Sequence, residues 1–170
     1  MYKWLRLILS GLILVPLLVS APDVSAEKLW NWRYTGSKIS ASGTFSTAET
    51  ADDQGYYQIL SIAGHRNGEH ITGLHPTGKS IPGNDPFTLD NLVRIDAKGQ
   101  ITPNGFGFAT ASGNYINTFY GSFLATPVYM EVFVTPTTYS ELPVTFTATP
   151  VTEPEIELES STGEPGKMDD

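Results

Sequence analysis

Glycine and proline punctuate this chain so often that long helices have little room to form. Sixteen Gly and twelve Pro are joined by Asn and Asp at short intervals, and helical periodicity is hard to find after residue 26. Between these breakers stand short runs of Thr, Ser, Tyr, Phe, Ile and Val, which read as strands. The pattern predicts strands at Leu29–Tyr34, Lys38–Thr47, Tyr56–Ala63, His70–Leu74, Leu92–Asp96, Gly105–Thr110, Tyr115–Phe123 and Val128–Thr135, with a last one at Val144–Thr149. Eight or nine short antiparallel strands make an all-β domain. It is either a β-sandwich or a closed β-barrel, since both shield strand edges.

The two ends of the chain differ from its middle. Lys3 and Arg6 precede a continuous apolar run, and Val24-Ser25-Ala26 supplies small residues where a signal peptidase reads. Residues 1–26 are therefore expected to be a signal peptide, with cleavage before Glu27. A membrane anchor fits less well, because the apolar run is shorter than the roughly 20 residues a spanning helix needs and Pro16 interrupts it. The expected product is exported, to the periplasm or beyond the cell, with no stable membrane insertion after cleavage. The formal net charge is −8, yet seven acids after Val151 face only Lys167, while ten acids face seven bases between Glu27 and Pro150. Residues 27–150 thus read as one nearly balanced β-rich domain, and residues 151–170 as a disordered acidic tail. No basic stripe invites nucleic acid. The chain has no cysteine, so neither disulfides nor thiolate chemistry enter.

All three histidines lie in one stretch, "SIAGHRNGEHITGLHPTG", from Ser61 to Gly78. Asn67-Gly68 is a strong type I′ turn signal, since both central residues of such a turn need positive φ. With those two residues as the loop, His65 faces His70 and Arg66 faces Glu69, where an ion pair is expected. Alternation then places Leu60, Ile62 and Ile71 toward the core, and Tyr57, Ser61, Ala63, His65, His70 and Thr72 on a more polar face. Two cross-strand imidazoles with His75 as a third ligand would suit a transition metal. No spacing rule fixes His75 near the other two, so a hairpin with exposed partners is the preferred reading. No metal or other cofactor is assigned.

A long loop follows, "PTGKSIPGNDPFTLDN". Asn84, Asp85 and Asp90 are oxygen donors there, but calcium needs six to eight oxygens and the EF-hand spacing is absent. Asx turns explain these residues better. "HPTGKS" lacks the first Gly of a phosphate loop, and no helix follows it. Aromatics at alternating positions, in "FGF" (106–108) and "YINTFY" (115–120), suit one inward face of a β core. An open aromatic cavity for a small ligand is the alternative.

"WRYTGSKISASGTFST", "GYYQILSIAGHRNGEHITGL" and "NGFGFATASGNYINTFY" together resemble a family of small exported β-rich bacterial proteins, many of which end in a PEP-CTERM sorting signal. The likeness spans roughly Trp32 to Tyr120, and it implies no catalytic residues. The end of the chain departs from that pattern. Glu153-Pro154-Glu155 is not the motif, and neither an apolar helix nor a basic cluster follows. Release as a soluble protein is therefore expected. No nucleophile elbow or metal-ligand motif appears, so catalysis is not expected. The expected function is a structural, adhesive or matrix role in the envelope or outside the cell, with an unidentified partner. A small-ligand carrier built on a barrel is the alternative.

Overall fold

The computed structural model describes residues 27–95 and 98–152. The expected signal peptide and nearly all of the acidic tail lie outside the described residues. Nine strands follow one another: β1 (Glu27–Gly36), β2 (Ile39–Ala48), β3 (Tyr56–Arg66), β4 (Glu69–Leu74), β5 (Leu92–Arg94), β6 (Phe106–Thr110), β7 (Tyr115–Gly121), β8 (Val128–Val134) and β9 (Tyr139–Pro150). Eight of them form an antiparallel meander that closes on itself, because β1 pairs with both β2 and β9 while β2 also pairs with β3. The architecture is a barrel, not a sandwich. The three-residue β5 stands apart, paired with the start of β3.

Alternation of side chains explains why the sheet curls around one core. In β1, Trp30, Trp32 and Tyr34 point inward and are buried, while Asn31 and Arg33 between them are exposed. Phe45, Phe106 and Phe108 meet the Trp32 indole and Phe146 packs on Phe106, with Trp32 and Phe45 stacked at 5.4 Å between ring centroids and Phe45 and Phe106 edge to face at 5.1 Å. These rings fill the barrel. Phe106 and Phe108 of "FGF" belong to that core, whereas Tyr115 and Phe119 of "YINTFY", expected inward, face outward into a second cluster with Ile81 and Leu89, and only Tyr120 packs on the barrel core. Phe87 and Phe123 are well exposed.

The ring requires two irregularities. Gly43 pairs with Gly64, and a Cβ on Gly43 would stand 1.8 Å from the Ala63 carbonyl oxygen, so this close approach of backbones admits only glycine. Further along, the register between β2 and β3 shifts at Ser46/Thr47, where Ser46 faces Ser61 but Thr47 faces Ile59. The bulge leaves Leu60 as the extra residue. Ile59 and Tyr57 therefore turn to the core, and Leu60 is 48 % exposed. This corrects the sequence expectation, which placed Leu60 inside and Tyr57 on the polar face.

One end of the barrel is capped by the segment between β5 and β6. Val93 and Ile101 join the core there. β8 begins at Val128 and pairs with β9 only as far as Val144, so the last turns of β9 have no β8 beside them. The Gln100 amide fills that gap, donating to the Ala148 carbonyl (2.6 Å) and accepting from the Ala148 N–H (2.9 Å). β9 itself starts earlier than expected, at Tyr139, despite Pro143. Along residues 139–143 only β8 is a neighbour, which is where a strand tolerates a proline.

Candidate binding cleft on the outer face

The β3–β4 hairpin forms as expected. Asn67 and Gly68 have φ of 49° and 81°, and the register pairs His65 with His70 and Arg66 with Glu69. Asn67 also ties the turn to its neighbour, accepting from the Ser40 N–H (2.8 Å) and donating to the Lys38 carbonyl (3.1 Å). His65 and His70 are exposed, with their rings edge to face at 5.6 Å. His75 is not with them. Its Nε2 is 2.8 Å from the Ser80 carbonyl oxygen and its ring packs against Tyr115. Among the described residues no three His, Cys, Asp or Glu side chains gather as a metal site would require.

The ion pair expected at the turn does not form. Arg66 ends β3 with its side chain turned into the barrel, where Nε and Nη2 hold the Glu131 carboxylate of β8 at 2.9 and 2.6 Å. Tyr34 Oη donates to the same carboxylate at 2.6 Å, and the guanidinium lies 3.9 Å over the Phe133 ring. Glu69 instead accepts from the Ser112 N–H, and the Ser112 side chain and N–H together lower its pKa. Burial, with the Glu131 charge beside it, pushes the Tyr34 phenol well above its ordinary value. Sequence reasoning missed this cluster. Its one signal was an acid at an inward position of "VYMEVFV", amid apolar neighbours. Glu131 is 1 % exposed, so the cluster is beyond the reach of a solute.

Outside the barrel, the loop from His75 to Asn91 packs on the face of β6, β7 and β8. Gly107 faces outward in "FGF", and a Cβ there would stand 2.4 Å from Leu89 Cδ1, so glycine makes the space into which Ile81 and Leu89 seat. Asn91, at φ 52°, pins the end of the loop. It donates to the His75 carbonyl and to Thr77, and accepts from the Gly107 N–H. The three oxygen-bearing residues of the loop do not converge. Asn84 is buried in a backbone turn, and Asp85 precedes a cis proline. Asp90 accepts from Thr102 at 2.7 Å and from Asn104 at 3.3 Å, and burial raises its pKa despite those bonds.

Beside this loop opens a cleft of about 380 Å³. Its floor is a cross-strand row on the outer face, Asn117 of β7, Val132 of β8 and Glu141 of β9. Phe119 and Tyr139 stand in the flanking rows, and Asn84, Phe87, Asn104 and Phe123 make the walls. Phe87, Phe123 and Tyr139 are 64, 69 and 52 % exposed, and the Phe123 ring lies nearly parallel to Phe119 at 8°. Four buried side-chain polar atoms lack a hydrogen-bond partner among the described residues. Three belong to Trp32, Thr110 and Thr118, which alternation points into the barrel; the fourth is Oδ1 of Asn117, buried beneath the cleft floor. The Tyr139 hydroxyl has only long contacts, 3.4 Å to Glu141 and 3.5 Å to Asn84, and partial burial next to Glu141 keeps it protonated by raising its pKa. The cleft thus combines aromatic faces with a carboxylate and a phenol. No family model, curated protein or solved structure matches this chain.

Proposed function

We infer that the protein is an exported, non-catalytic module of the cell envelope or the extracellular space, and that its adhesive or matrix role is exerted from the outer face of the barrel. The observation that carries this reading is the filled interior. A barrel that carries small ligands needs a lumen, and here Trp32, Phe45, Phe106 and Phe108 occupy the space where a guest would sit. Recognition then belongs to the outside, where large aromatic side chains stand exposed. The same surface argues against a barrel embedded in lipid, since Asn31, Arg33, Ser42 and Thr147 face outward while Trp30, Trp32, Tyr34 and Phe45 of the same strands face inward. A membrane barrel has the reverse polarity. The likeness of residues 32–120 to exported β-rich proteins supports the same assignment.

Cosedimentation tests it. Protein purified from the producing cell is incubated with washed envelope and extracellular-matrix fractions, and is expected to pellet with at least one of them. Protein that stays in the supernatant, and whose native mass spectrum carries a stoichiometric small molecule, would establish the carrier reading instead.

A further inference from the structure

We propose that the cleft between Phe87, Phe123 and Tyr139 is a binding site for a neutral saccharide. This rests on the adhesive reading above and names the chemistry by which adhesion occurs.

The argument begins with what the cleft exposes. Two phenylalanine rings at 64 and 69 % exposure are hard to explain on a chain whose other phenylalanines are buried or half-buried. An apolar partner would cover them, but it would also cover the groups between them. The Glu141 carboxylate lies on the cleft floor and the Tyr139 hydroxyl stands beside it with only long contacts. Sealing these two groups under an apolar side chain strips their water and returns no bond, which costs most at the carboxylate. A sugar ring meets both demands at once. Its C–H face stacks on Phe87 or Phe123, and its hydroxyls donate to Glu141 and accept from Tyr139.

Charge narrows the class. The cleft is lined by Asn84, Asn104, Asn117, Tyr139 and Glu141 among its polar residues, with one anion and no Lys or Arg. A uronate or sulfated sugar would bring a second negative charge beside Glu141 with no cation to balance it. The ligand is therefore neutral, and its hydroxyls act chiefly as donors.

The test uses the full mature chain on an array of neutral hexose, N-acetylhexosamine and uronate oligosaccharides, followed by titration calorimetry on the best binder. Binding to neutral members is expected, with uronates silent. Phe123→Ala and Tyr139→Phe should each weaken binding tenfold or more. Leu60→Ser, which removes an equally conspicuous apolar side chain from the opposite side of the barrel, should leave it unchanged. Near-identical circular dichroism and melting of Phe123→Ala and wild type separates lost contact from lost fold. Three outcomes overturn the proposal: no neutral glycan bound, uronates preferred, or binding indifferent to Phe123→Ala. A wild type that self-associates by sedimentation while Phe123→Ala does not, with no glycan bound, would assign the cleft to a second copy of the chain. Cosedimentation with envelope or matrix in the absence of glycan binding would leave the adhesive reading standing and this one refuted.

Discussion

Arg66 is the residue whose behaviour is hardest to infer from its neighbours in sequence. It follows His65 and precedes a turn, and Glu69 stands opposite it in the register, yet it reaches into the barrel for Glu131. The Tyr34 bond to the same carboxylate completes a buried set whose members are far apart in the chain, so no local pattern announces it. Such a set contributes little net stability compared with a well-packed apolar replacement, but breaking it leaves a charge stranded. Arg66→Met should therefore cost about 3–5 kcal/mol in urea unfolding, while the double substitution Arg66→Met with Glu131→Met should recover most of that loss. Tyr34 adds a dependence on pH. Its folded pKa lies above the unfolded value near 10, so between the two the native state holds a proton that the unfolded chain has released. Stability should be undiminished below pH 10 and fall as pH rises through that window. Tyr34→Phe should flatten the alkaline limb, which melts recorded from pH 8 to 11 will show.

At the scale of elements, the sequence was most legible where signals are local. The Asn67-Gly68 turn, the paired histidines and the inward aromatics of β1 and β6 all follow from turn chemistry and alternation. Parity failed at two places. In β7, Tyr115 and Phe119 turn outward beneath the long loop and only Tyr120 packs on the barrel core. The other place is in β3. The bulge at Ser46/Thr47 inserts Leu60 and reverses the faces on its N-terminal side, and nothing in "YYQILSIA" marks which residue is the extra one. The cleft was equally hidden, because its floor is assembled across three strands and its walls come from three connecting segments. For the β3–β4 hairpin the expectation is sharp. Gly68 has open space around it, so Gly68→Val meets no clash and its cost is backbone strain alone, roughly 1–3 kcal/mol. Replacing His65 and His70 together by Ala should cost far less. Melting all three proteins with and without zinc separates this account from a metal site, which would show as a zinc-dependent rise in the wild type only.

For the whole molecule, eight or nine antiparallel strands could be read in advance, but the choice of barrel over sandwich could not. That choice rests on pairing β1 with β9 and β2 with β3, and pairing partners are a property of the assembled sheet. The boundary of the domain has a direct test. Ending the chain at Thr152 keeps every strand and should leave the thermal midpoint unchanged, whereas ending it at Pro143 removes the part of β9 that pairs with β1 and should abolish cooperative melting. The seam between β1 and β9 also sets a timetable. Trp32 is synthesised among the first residues of the domain and Ala148, its partner across the seam, among the last. Until β9 arrives, the indoles and phenyl rings have no closed wall around them, and the nascent chain presents adhesive surface instead of a core. Contacts of such long sequence separation make folding slow. Slow closure in turn lengthens the interval in which a holding chaperone can bind those rings.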